Sequence, residues 1–248
     1  MKKNYFEIDY ISLYKNAEKL AAGYKSSEPF PHTIIDGFLT PKGYNKICKA
    51  FPKKNDEIWK TPTNSHTVGK SVTKNGSLGL KEILYTNDAR RFFHELNSSL
   101  FLNFLERLTG IKGLIPDPYF AEGGFHRSSS GGYLDIHADF SHHDKLGLER
   151  RINLIFYLND NWLETYGGEL GLYNKNYKKV VSIAPIANRV AIFTTSDHSF
   201  HGFPEKITCP AKIYRKSIAL YYYSLPTSNR KKSKILFPKD PKFIYKGK

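Results

Sequence analysis

From about residue 112 onward the chain is a succession of short runs in which apolar and other residues alternate. They are "GYLDIHAD" (132–139), "RINLIFYLN" (151–159), "GELGLYN" (168–174), "VVSIAP" (180–185), "RVAIFTT" (189–195) and "SIALYYYS" (217–224). Turn formers separate them: Asn159-Asp160, Gly167-Gly168, Pro185 and Asn188. A period of two is the signature of strands with one face buried, and many short strands at fairly regular spacing mean a sandwich or a barrel. Aromatic residues, 15% of the chain with 17 Tyr and 17 Phe, suit such a packed β interior.

The first half reads differently. Tyr10, Leu13, Tyr14, Ala17 and Ala21 recur at helical spacing, which predicts a helix over 5–22 that "SSEPFPH" (26–32) breaks. "TIIDGFL" (33–39) reads as a short strand. Thr40-Pro41 then opens a second helix, with Thr40 as its cap, that ends before Pro52. The polar, glycine-bearing stretch 67–79 reads as loop or lid. The strongest helix is predicted over 88–109, capped by Asp88, carrying the stripe Phe92, Phe93, Leu96, Leu100, Phe104, Leu105 and Leu108, and ended by Gly110. The expected class is therefore mainly β with N-terminal helices (α+β). The layout is a single domain, 1–225, in which a helical support region, 1–111, precedes a β core, 112–225. A basic tail follows, 226–248.

Several classes of protein are disfavoured. No apolar run approaches the roughly 20 residues of a membrane helix, and Glu7, Asp9 and Lys15 interrupt the N-terminal stretch that a secretory signal would need. Two distant cysteines, Cys48 and Cys209, do not make a disulfide framework or a zinc site, so both read as structural and a reducing, cytoplasmic setting is expected. The net charge of +15 mildly favours an acidic substrate. Part of it lies in the tail, with eight Lys/Arg against one acid, but no recognisable nucleic-acid motif accompanies it, and the tail reads as solvated.

Side chains at i and i+2 of a strand share a face, so His137 and Asp139 in "YLDIHAD" project together. An imidazole and a carboxylate are two parts of the facial 2-His-1-carboxylate arrangement that suits non-haem Fe(II). Taken alone, a hydrogen-bonded core histidine beside a surface aspartate accounts for the pair equally well. A further histidine is needed, and "TTSDHSFHGFP" (194–204) offers His198 and His201. Later, Arg215 and Ser217 share a strand face. A planar guanidinium grips a carboxylate with two parallel bonds, and the hydroxyl can add a third.

The order H-x-D, "RRINLIFYLNDNW", "GGEL", "HGFP" and R-x-S resembles the Fe(II)/2-oxoglutarate-dependent dioxygenases of the prolyl-4-hydroxylase-like superfamily, from about Asp117 to Ser224. "PFPHTIIDGFL" and "LTGIKGLIPDPY" resemble the N-terminal part of bacterial members. The resemblance implies a double-stranded β-helix, a cupin-like jelly roll packed on the helices. It assigns the metal to His137, Asp139 and His201, the last chosen over His198 because "HGFP" follows it. It assigns the distal carboxylate of 2-oxoglutarate to Arg215, Ser217 and Tyr157. It further implies Fe(II), 2-oxoglutarate and O2, with ascorbate as a candidate addition. The reaction would be hydroxylation of an unactivated C–H, most readily of a prolyl-type residue in a peptide or protein, with decarboxylation of 2-oxoglutarate to succinate. The alternatives are an amino acid or sugar-derived substrate, a nucleic-acid demethylase and, last, a non-catalytic binding module.

His126 and Arg127 fall where the family lines its pocket, and are candidate substrate contacts, with a plain Gly/Ser loop as the alternative. His142 and His143 are expected to face solvent. Gly167-Gly168 is expected to allow a close strand approach. Trp162 and Tyr221 to Tyr223 are expected to pack. "EKITCPAKIY" (205–214) lengthens the gap between His201 and Arg215, room for an extra hairpin.

Overall fold

The computed structural model describes residues 6–56, 58, 59, 67, 68, 70, 71, 80–120, 123–227, 232 and 234. The tail beyond 227 therefore lies almost wholly outside the described residues. Five helices form one layer: α1 (Tyr10–Lys15), α2 (Ala17–Ser26), α3 (Pro41–Ala50), α4 (Asn87–Leu96) and α5 (Ser99–Thr109). The helix expected over 5–22 is thus two helices, and the second runs on to Ser26. Asn16 divides them: it ends α1 with its Nδ2 donating to Ser12 O at 2.9 Å, a local bond that competes with helix continuation.

The stripe over 88–109 is likewise shared by two helices. Ser98 interrupts it, its Oγ accepting from Phe101 N at 3.3 Å as the cap of α5. The cap of α4 is Thr86, not Asp88, with Oγ1 accepting from Ala89 N at 3.2 Å. The apolar periodicity survives the break because α4 and α5 both bury residues in one core. Gly110, at φ 76°, ends α5 in the left-handed conformation that glycine adopts without a Cβ penalty. Thr40 caps α3 as the sequence suggested, accepting from Gly43 N at 3.0 Å.

The strands form two antiparallel sheets and no closed barrel. Their ranges are β1 (His32–Asp36), β2 (Thr67–Val68), β3 (Lys70–Ser71), β4 (Ile115–Pro116), β5 (Gly124–Ser128), β6 (Tyr133–His137), β7 (Glu149–Tyr157), β8 (Leu170–Tyr173), β9 (Lys179–Ile183), β10 (Arg189–Thr194), β11 (Phe200–Phe203) and β12 (Arg215–Ser224). The larger sheet has the order β1-β10-β7-β12-β5-β3, with β4 also on β12; the smaller has β2-β6-β11-β8-β9. From β5 to β12 the chain alternates between the sheets, staying in one only from β8 to β9. That is the double-stranded β-helix, or jelly roll. Part of the stretch expected as loop or lid is strand: β2 pairs with β6 in one sheet and β3 with β5 in the other. The rest of 67–79 lies outside the described residues.

Alternation assigns each face of the larger sheet. Ile152, Leu154 and Phe156 of β7, with Ile218, Leu220 and Tyr222 of β12, meet Phe92, Phe93, Phe101 and Phe104 of the helices in the main core. Burying each such side chain contributes about 1.5–3 kcal/mol. The opposite face carries Asn153, Ile155, Tyr157, Ser217 and Tyr221 toward the smaller sheet, and there Leu170 and Leu172 of β8 join Ala191 and Phe193 of β10 in a second core around Tyr157. No hairpin fills the long gap before β12. Residues 204–214 form an irregular loop that bonds to the Gly-Gly turn before β6, Gly131 N to Ile207 O at 2.8 Å and Ile207 N to Gly132 O at 2.9 Å, over a small core of Phe203, Ile207 and Cys209. Both cysteines are free. Among the described residues no helix is long and apolar enough to cross a membrane.

Candidate metal centre

His137 ends β6 and sits directly across from His201 on β11, their rings 4.4 Å apart. Asp139 follows two residues beyond the end of β6. Its Oδ1 is 3.6 Å from His137 Nε2, and its Oδ2 is 3.4 Å from His201 Nε2. All three side chains are buried, and one ligand atom from each lies within 4.8 Å of the others. Each ring is oriented by the backbone of its own strand. His137 Nδ1 bonds to Asp135 O at 2.8 Å and His201 Nδ1 to Ser199 O at 3.0 Å. A carbonyl can only accept, so each Nδ1 carries the proton and each Nε2 turns a lone pair toward the centre.

The electrostatics agree with a cation site. Burial pushes the His201 imidazole down to about 4, so it is a neutral donor near pH 7. Burial alone would raise the Asp139 carboxyl, but Arg150 and the two histidines hold it well below the usual range, so it is ionised. Two imidazoles and one carboxylate are a donor set that suits a divalent transition metal and leaves positions open on one side. His198 is exposed in the turn before β11, well placed for solvent rather than for this centre.

A second polar group stands on the inner face of the larger sheet. Tyr157 on β7, Ser217 on β12 and His126 on β5 stand in register in one row across the larger sheet. Arg215, two residues before Ser217 on the same face, has its guanidinium 5.1 Å from the Tyr157 ring centre and 4.3 Å from that of Phe203. Arg215 is buried, yet no Asp or Glu among the described residues lies within ion-pair distance. Its Nε donates to Gly168 O at 2.6 Å, leaving Nη1 and Nη2 outside that bond. The Tyr157 hydroxyl is sealed from solvent and makes no hydrogen bond of ordinary geometry, although it lies close enough to Arg215 for the two to interact. A buried cation without a counter-ion is costly, and this cradle fits a small anion. Gly168, at φ 77°, allows the approach: a Cβ there would lie 3.1 Å from Arg215 Cδ.

Other sequence candidates separate. Half-buried His126 shares the inner face with Ser217. Arg127 lies on the opposite face with Lys216, its guanidinium over Trp59 at 4.5 Å and bonded to Lys54 O at 2.7 Å, away from the centre. His143 is not in solvent. It is buried, its Nε2 3.3 Å from Asp117 Oδ1, because the loop after Asp139 folds back and Leu146 N donates to its Nδ1. Trp162 packs as expected, donating to Gly167 O at 3.0 Å, and Tyr222 donates to Leu96 O at 3.1 Å.

A jelly roll that holds a buried His-Asp-His centre has the donor set of a metal-dependent oxidation site. Residues 123–223, the segment that carries His137, Asp139, His201 and Arg215, match the model of the 2OG-Fe(II) oxygenase superfamily, and the match supports a dioxygenase oxidoreductase that uses Fe(II), 2-oxoglutarate and O2. The fold is shared with solved structures at low identity. A prolyl hydroxylase from Trichoplax adhaerens, in complex with a hypoxia inducible factor peptide fragment, is 20% identical over 86% of this chain and 93% of its own, with TM-score 0.59. A prolyl 4-hydroxylase from Phytophthora capsici is 19% identical over 90% of this chain and 68% of its own, with TM-score 0.56. A 2OG-Fe(II) oxygenase family oxidoreductase from Burkholderia pseudomallei is 11% identical over 84% and 90%, with TM-score 0.53.

Proposed function

We propose that His137, Asp139 and His201 hold Fe(II), that Arg215, Ser217 and Tyr157 hold the distal carboxylate of 2-oxoglutarate, and that the enzyme hydroxylates a prolyl-type residue in a peptide or protein. The observation that carries the assignment is the convergence of two imidazoles and one carboxylate, all buried, with one ligand atom from each within 4.8 Å of the others. The peptidyl substrate rests on the sequence resemblance, and the fold shared with prolyl hydroxylases supports it. In this reading residues 1–225 act as one catalytic domain, with 1–111 supporting 112–225, and the tail stands outside the chemistry.

The bound metal and cosubstrate supply the oxidation: O2 is consumed, 2-oxoglutarate becomes succinate and CO2, and a substrate C–H becomes C–OH. The chain's own residues bind, orient and shield. The backbone carbonyls of Asp135 and Ser199 hold the two imidazoles in the Nε2-donor tautomer. Arg215 and Tyr157 meet a carboxylate with charge and a hydroxyl in a site closed to water, where such bonds are strongest. His126, in the same row, borders the space beside the cosubstrate.

Succinate release, screened over proline-containing peptides, free amino acids and sugar derivatives with mass detection of the oxygenated product, tests this directly. Proline peptides are expected to gain one oxygen. His137→Ala and Asp139→Ala are expected to abolish succinate release, and wild-type turnover in either sinks the metal assignment. Turnover only with the small molecules, or only with methylated nucleic acid, overturns the peptidyl reading and leaves the metal assignment standing.

A further inference from the structure

The carboxylate of Asp139 is held from behind. Asn153 Nδ2 donates to its Oδ2 at 2.6 Å, and Arg150 Nη2 donates to the same oxygen at 3.1 Å. The two donors are tied to each other, since Arg150 Nε and Nη2 both donate to Asn153 Oδ1, at 2.9 and 2.7 Å. Arg150 is fully enclosed. The Tyr221 ring covers its guanidinium at 3.5 Å and the Phe140 ring lies at 4.4 Å.

Simple alternation would not put Arg150 there. Counting back from Tyr157 by twos gives Ile155, Asn153 and Arg151 on the inner face, and Arg150 on the helix side with Ile152. The pairing of β7 with β12 slips at this point: Tyr222 pairs with Ile152, and Tyr223 with Arg150, so Arg151 is an extra residue. A β-bulge of this kind flips the side chains beyond it. It brings Arg150 round to the face of Asn153 and Tyr221, against Asp139.

We propose that Arg150 and Asn153 are positioning residues that fix the rotation of the Asp139 carboxylate by engaging its Oδ2 from behind, and so hold both oxygens toward the two Nε2 atoms. This rests on the iron-site reading above. A free carboxylate turns about its last bond and can bind a cation through one oxygen or both. Two donors on one oxygen remove that freedom before the metal arrives, and partners of this kind are commonly worth about 10–100-fold in metal affinity. The Tyr221 face and the Asp139 charge together make burial of the Arg150 cation tolerable.

Anaerobic titration of the whole chain with Fe(II) alone, followed by addition of 2-oxoglutarate, tests it. Arg150→Gln and Asn153→Ala are each expected to weaken Fe(II) binding about 10–100-fold and to displace the visible charge-transfer band of the Fe(II)–2-oxoglutarate complex, which a purely structural role would leave in place. Arg150→Lys, which keeps charge and one donor, is expected to recover part of both. If Arg150→Gln does not fold, Asn153→Ala decides alone. Folded variants that bind Fe(II) as tightly as the wild type, or with an unmoved band, overturn the proposal. A wild-type chain that binds no Fe(II) overturns the iron-site reading, and this proposal with it.

Discussion

At the scale of single residues, the most telling group is Arg215. It is buried with no Asp or Glu among the described residues within ion-pair distance, and in the reading proposed here the cosubstrate carboxylate joins it, beside the Tyr157 hydroxyl. A charge-assisted hydrogen bond contributes about 1.5–3 kcal/mol. Arg215→Gln is therefore expected to raise the KM for 2-oxoglutarate roughly 10- to 100-fold, and Tyr157→Phe only a few-fold. Initial-rate kinetics at saturating substrate checks both, and an unchanged KM in Arg215→Gln removes it from the cosubstrate site. These residues were legible because each strand keeps strict alternation between them: His137, Arg215, Ser217 and Tyr157 sit where a period of two puts them. Arg150 was not, because one inserted residue reverses the face. Arg127 failed for the opposite reason: the period of two does hold along β5, and it sends Arg127 to the helix side while His126 stays within.

At the scale of elements, β11 brings His201 to His137, and Gly202 is what lets it come so close. A Cβ at Gly202 would lie 2.7 Å from Asp135 O and 2.8 Å from Leu134 O, backbone atoms that cannot swing aside. Gly202→Ala is expected to cost about 1–3 kcal/mol through overpacking and, by pushing β11 off β6, to weaken Fe(II) binding as well. Thermal melts of the metal-free protein and an Fe(II) titration measure the two effects. A variant with wild-type Tm and affinity would show that β11 can shift freely. Helix boundaries show how local chemistry cuts a global pattern. The stripe over 88–109 is continuous in sequence, yet Ser98 stops one helix and starts another, because a side-chain cap satisfies a free backbone N–H that the stripe says nothing about.

At the scale of the whole molecule, the larger sheet is a shared wall between a helix layer and a reaction space. Phe156 faces the helices, its ring 5.6 Å from Phe38 and 5.8 Å from Phe92, while the next residue, Tyr157, faces inward, its ring 5.1 Å from the Arg215 guanidinium. Phe156→Ala is expected to destabilise the protein by about 3–5 kcal/mol, while 2-oxoglutarate affinity measured well below the unfolding transition stays as in the wild type. Denaturant unfolding with a parallel binding measurement separates the two faces. Equal loss of both would mean that the wall transmits strain from one side to the other.

The sequence by itself determined the strand-rich second half, the helices before it, and three polar side chains able to meet on one inner surface. Alternation and caps are local rules, readable wherever neighbours in sequence are neighbours in space. Only the tertiary structure decided what meets across the sheets. It paired His137 with His201, buried Arg215 with no Asp or Glu among the described residues within ion-pair distance, buried His143 against Asp117, and turned Arg150 onto Asp139. Those depend on register, on one bulge and on the close approach of strands 60 or more residues apart, which no local period encodes.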